Sequence, residues 1–161
     1  MANRKLFATG ALLVIPLFSF NAVAQLSGDA AAKAVADRQA VFKQIAESNK
    51  VLADMARAGG TYNAEAALKA VDAIASLAEK IPAAFGPNTT GYKSPKPGRY
   101  AARDAIWTSK AEFDKFAADT VAGAKQAREI LGSQGASGLR TAMGEIGKKC
   151  GACHDRFRTD L

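Results

Sequence analysis

Cys150, Cys153 and His154 are the residues of this chain best equipped for chemistry. The stretch "KKCGACHDRF", residues 148 to 157, holds both cysteines and the only histidine. On a helix, positions i, i+3 and i+4 share a face, so the three side chains point the same way. Two thiols three residues apart can add to the two vinyl groups of a haem. A histidine directly after the second thiol then lies under the iron as an axial ligand. C-x-x-C-H is therefore the pattern of covalent c-type haem attachment, and one haem c per chain is the expected cofactor.

Other uses of these residues fit less well. A zinc site needs a fourth ligand, and the chain has no further Cys or His. A thioredoxin-like dithiol should open a helix near a strand, whereas this pair lies late in a helix. A disulfide between residues three apart would close a tiny loop and staple nothing distant.

The function of such a haem turns on its sixth coordination position. A second strong protein ligand gives an electron carrier, and an open position admits a small molecule. No second histidine exists, and beyond the leader described below the methionines are Met55 and Met143. Met143 is 11 residues before His154 on one helix, roughly 16 Å along the axis, so it cannot reach the opposite face of the same iron. Met55 is near the end of the first helical segment, and its reach depends on the register of that helix. A lysine ligand would have to be desolvated and deprotonated. Five-coordinate iron is the expectation.

Helices must position this motif, because alanine dominates and apolar residues recur at helical spacing. The first segment runs from about Asp29 to Ala58, with Val35, Arg38, Phe42, Ile45, Asn49, Leu52 and Ala56 on one stripe. Gly59 suits the left-handed position that ends it. The second begins after Asn63, a good N-cap, carries Leu68, Val71, Ile74, Ala78 and Ile81, and stops at Pro82. A long connection follows over residues 86–106. The third starts at Ser109, whose spacing to Glu112 matches a capping box, and turns Phe113, Phe116, Thr120, Ala124, Ala127 and Leu131 inward. The fourth, Ser137 to Arg158, puts Leu139, Met143, Ile146, Cys150, Cys153 and Phe157 on one seam. Two short connections and one long one imply an all-α, antiparallel four-helix bundle. A seam rich in Ala and Gly leaves volume that a planar macrocycle can fill.

Residues 1–24 have the parts of a cleavable secretory signal: Arg4 and Lys5, an apolar run from Leu6 to Phe20, and the small residues Ala22 to Ala24. The mature chain is expected to begin at Gln25, to be periplasmic, and to form one domain over residues 25–161. The formal net charge of +7 loses Arg4 and Lys5 with the signal. The remaining basic residues are scattered, which speaks against nucleic-acid binding. No other stretch is apolar enough to enter a membrane.

Across this remainder the chain resembles the cytochrome c′ family, the class II c-type cytochromes. The likeness is carried by "DRQAVFKQI", "AAFGPNTTG", "IWTSKAEF" and "CGACHDRFR", with the haem motif at the C-terminus rather than near the N-terminus. It implies that Arg38 and Gln39 lie at the haem edge, where the arginine can pair with a propionate. It implies that Phe42 covers the distal face as a lid, where low-spin members of the family place a methionine ligand. It also implies a homodimer formed through the first two helices. Arg158, four residues after His154, is expected on the proximal side, with an exposed arginine complementing the helix dipole as the alternative. Trp107 and Phe85 resemble pocket or loop-anchoring residues, with plain core as the stronger reading. "YKSPKPGRYAARD" looks longer than the family's usual link, so no role carries over to it.

The resulting expectation is a periplasmic high-spin haem protein that binds nitric oxide and carbon monoxide, with sequestration of nitric oxide as its use. A one-electron carrier serving a periplasmic redox partner is the alternative. Enzymatic turnover is not expected, since no distal acid or base is visible to handle protons.

Overall fold

The computed structural model describes residues 24–95, 98 and 100–160. The leader expected over residues 1–24 lies outside them, Ala24 excepted. Helix α1 (Gly28–Ala56) and helix α2 (Ala64–Ala78) are followed by a single turn, α3 (Ile81–Ala84). The long connection then contributes strand β1 (Tyr100–Ala102) and the one-turn helix α4 (Ala105–Thr108). Helix α5 (Lys110–Gln134), a 3-10 turn at Gly135–Gly138, helix α6 (Leu139–Phe157) and strand β2 (Arg158–Asp160) complete the chain. The four long helices form the expected antiparallel bundle, with α5 packed between α2 and α6, and α1 against both α2 and α6.

Local sequence explains two of the helix ends. Asn63 caps α2 by accepting from the Ala66 amide at 2.8 Å, which satisfies one of the first-turn donors. Gly59 has φ +78° in the turn after α1, the left-handed conformation that glycine adopts without a Cβ penalty. The capping box expected at Ser109 does not form. Ser109 stands at the N-cap of α5 without a side-chain capping bond. Glu112, which should have reached back to it, is instead held from α6 by Arg156 at 3.2 Å through both Nε and Nη2. A charge-assisted fork between helices outcompetes the local return bond.

Gly123 sets how closely α5 approaches the haem-motif helix. A Cβ there would stand 2.9 Å from Lys149 Cγ and 3.3 Å from the Glu145 carbonyl oxygen, inside ordinary contact distance. The absence of a side chain lets the two backbones close up one residue before Cys150.

The α1 stripe departs from its expected membership. Ala31, Ala34, Arg38 and Leu52 are buried, but Phe42 and Asn49 are exposed. The inward positions of that turn go to Val41 and Ile45, three and seven residues after Arg38, so Phe42 falls at the edge of the buried face.

The apolar interior is split in two. One cluster is built on Leu52, Val71, Ile74, Leu131, Leu139 and Ile146, with Met55, Tyr62 and Cys150 packed against it. The other is built on Ile81, Phe85, Ile106, Phe113 and Phe157, with Val41, Ile45, Trp107, Phe116 and Cys153 packed against it. The two cysteines of the motif therefore touch different halves of the core.

Candidate haem site

The motif lies in the last two turns of α6, and Cys150, Cys153 and His154 are all half-buried. Partial burial suits a group that is enclosed by the fold yet attached by chemistry. Burial raises the pKa of the Cys150 thiol. Cys153 is pushed up to about 11, by burial first and then by the neighbouring Cys150. Burial, and then the charge of Arg158, lower the pKa of His154 and favour the neutral imidazole that a metal requires.

Which imidazole nitrogen is free follows from Arg158. Its Nη1 stands 3.2 Å from His154 Nδ1. Arg158 covers Nδ1 and leaves Nε2 for a metal; a neutral imidazole bound through Nε2 keeps its proton on Nδ1, so the guanidinium then acts on the ring by its charge rather than as a hydrogen-bond donor. Arg158 itself is the C-cap of α6, and its backbone N–H returns to the His154 carbonyl. Arg158, expected on the proximal side, thus contacts the imidazole itself.

On α1, Arg38 is 5% exposed and is held on all three nitrogens. Nε donates to the Ala84 carbonyl at 2.8 Å, Nη1 to the Thr89 hydroxyl at 2.6 Å, and Nη2 to the Pro87 carbonyl. Its guanidinium carbon also lies 4.7 Å from the Phe85 ring centroid and 5.2 Å from that of Trp107. Desolvation lowers its pKa, and among the described residues no carboxylate pairs with it. A buried cation with neutral partners only, and two of its five N–H groups still uncommitted, fits an anionic group such as a haem propionate. Gln39, expected beside it, is exposed.

Phe42 is 36% exposed and meets the edge of Phe85 at 6.1 Å between centroids. Its neighbours Val41 and Ile45 pack on the same cluster as Cys153, so this turn of α1 stands at the level of the motif. Trp107 donates from Nε1 to the carbonyls of Phe85 and Pro87, both at 3.1 Å, and so anchors the loop. Phe85 is buried core. Thr89 and Tyr100 escaped sequence reading. Each acts through a loop whose contacts no local pattern announces.

Comparison with known proteins follows this geometry closely. The sequence model of the family described as cytochrome c′ matches residues 33–158, a span that includes Arg38, Phe42 and the whole motif. The chain belongs to the cytochrome c′ family. A cytochrome c′ of Rhodopseudomonas palustris is 32% identical over 125 residues, covering 77% of this chain and 80% of that protein. A cytochrome c-556 of Agrobacterium tumefaciens is 34% identical over 127 residues, covering 77% and 95%. A solved cytochrome c′ structure from Rhodopseudomonas palustris superposes with a TM-score of 0.69 at 30% identity, covering 79% of this chain and 96% of that one. Membership makes the chain a haem c protein, and its two cysteines are consistent with the attachment motif. Relatives under both names stand at similar identity, so the iron's coordination has to be argued from this chain's own residues.

Proposed function

We propose that this cytochrome c′ family protein keeps an open sixth position on its haem iron and takes up small neutral gases, nitric oxide and carbon monoxide, in a protective, sequestering role. In this reading Cys150 and Cys153 attach the haem, His154 ligates through Nε2, Arg38 meets a propionate, Gln39 lies at the haem edge, Phe42 covers the distal face, and Arg158 stands on the proximal side. The bound haem supplies an iron centre with one position left for a ligand. The observation that carries the reading is the lack of a second histidine together with the placement of both methionines. The mature chain has no second histidine, Met143 shares a helix with His154, and Met55 packs on the other half of the core.

Val41, Ile45 and Phe85 beside Phe42 are apolar, and the nearby Arg38 guanidinium, stacked on Phe85, stays protonated and cannot serve as a base. They favour binding over turnover. Residues 1–24 act as a cleaved export signal and deliver the domain of residues 25–161 to the periplasm. Consistent with a start at Gln25, the Leu26 amide already bonds the Asn88 carbonyl at 2.7 Å. Among the described residues no helix is long and apolar enough to cross a membrane. A homodimer through α1 and α2 is favoured by Val51, an apolar residue exposed on α1. One-electron transfer to a periplasmic partner is the second reading, favoured by the partial exposure of Cys153 and His154, which keeps the site close to solvent.

Anaerobic addition of nitric oxide to the reduced holoprotein tests the proposal. One equivalent per haem should change the absorption spectrum completely. A spectrum that stays unchanged in excess gas would favour the electron carrier.

A further inference from the structure

The long connection before α4 ends by docking on the chain just beyond the haem motif. Strand β1 pairs antiparallel with β2, with Tyr100 opposite Asp160, Ala101 opposite Thr159 and Ala102 opposite Arg158. Arg103 closes the junction: its amide bonds the Phe157 carbonyl at 2.9 Å and its Nη1 the Asp155 carbonyl at 3.3 Å. Side chains alternate along a strand, so Tyr100 and Arg158 share a face of this ribbon as diagonal neighbours. The Arg158 guanidinium carbon lies 3.9 Å from the Tyr100 ring centroid. On its other side, Nη1 stands 3.2 Å from His154 Nδ1. The guanidinium is held between an aromatic face and the imidazole.

We propose that Tyr100 is a positioning residue for the haem centre. By stacking on Arg158 it fixes a positive charge against the nitrogen of His154 that does not face the iron. A segment outside the bundle thereby tunes the axial ligand. The inference rests on the reading of His154 as that ligand. A guanidinium is always charged, so beside the ring it opposes the extra charge of ferric iron. Acceptors at the outer nitrogen raise the basicity of a ligating histidine, and a cation there works in the opposite direction. A cation–π contact at an exposed site biases the held arrangement by about two- to fivefold.

Because Tyr100 is 41% exposed, its replacement should leave the fold intact. The holoprotein is compared as wild type, Tyr100→Ala, Tyr100→Phe, Arg158→Ala and the Tyr100→Ala/Arg158→Ala double variant. Reduction potential and the ferrous iron–histidine stretching band are the readouts. Tyr100→Ala should lower the ferrous-to-ferric ratio at a fixed applied potential by up to about fivefold and move the band in the direction of Arg158→Ala. Tyr100→Phe should match wild type, and Tyr100→Ala should add nothing once Arg158 is gone. Wild-type values in Tyr100→Ala, or equal shifts with and without Arg158, would overturn the proposal alone. A wild-type spectrum with no iron–histidine band would overturn the ligand reading and this proposal with it.

Discussion

Arg140 donates from Nη2 to the Ala56 carbonyl at 2.8 Å, which holds the end of α1 level with the first turn of α6. Met55 sits on that same turn. His154 is 14 residues further along α6, roughly 21 Å away at 1.5 Å per residue. The register of α1, which the sequence left open, therefore removes the second thioether from the iron. Met55→Leu should leave the absorption spectra of the oxidised and reduced holoprotein unchanged. A spectral shift in either state would make Met55 a ligand.

Phe42→Ala should speed carbon monoxide association with the reduced protein, read by flash photolysis. Because Phe42 is already partly exposed, the stability cost should stay below about 1.5 kcal/mol, against about 3–5 kcal/mol for a fully buried phenylalanine. Unchanged association rates would end its role as a lid.

Arg38 carries the loop of residues 84–89 on three donors, and this makes it a folding residue as well as a candidate haem partner. Arg38→Ala should destabilise the holoprotein by about 2–4 kcal/mol in urea unfolding, since buried carbonyls lose a charged donor. Arg38→Lys should recover less than half of that, because one ammonium cannot span three separated acceptors. The same titrations followed by fluorescence of Trp107, the only tryptophan, report directly on the loop it shares with Arg38.

The thiols of the folded, haem-free chain should be poor nucleophiles at neutral pH. Cys153 is pushed up to about 11 by burial and then by Cys150, while an unfolded cysteine titrates near about 8.5. The folded pKa is the higher one, so the unfolded state releases its proton first. The stability this group contributes is present below about pH 8.5 and is lost as pH rises toward about 11. Alkylation with iodoacetamide should therefore be slow at pH 8 in the folded chain and rise about tenfold per pH unit up to about 11. In urea it should be fast at pH 8. Equal rates in both conditions would contradict the burial of these sulfurs.

Much of the architecture was legible because it depends on local pattern. The stripe of α5, the Asn63 cap and the glycine after α1 are each set by residues within one or two turns, and the motif carries its own chemistry in five positions. What escaped depends on distant partners. Ser109 and Glu112 had the spacing of a capping box, but Arg156 of α6 takes the carboxylate. Phe42 had the spacing of a core residue, but Val41 and Ile45 fill that turn. The family resemblance singled out Arg38, yet its bonds to Ala84, Pro87 and Thr89 arise only when the loop folds over α1. Tyr100 lay in a stretch with no helical period, and its role comes from a two-stranded ribbon whose partner is 58 residues further along the chain at Arg158.

The spin state of the iron tests the central claim most directly. Electron spin resonance of the oxidised holoprotein, paired with absorption spectra of both oxidation states, should report a high-spin, five-coordinate centre. A low-spin, six-coordinate centre in both states would mean that a side chain of this protein fills the position assigned here to a gas.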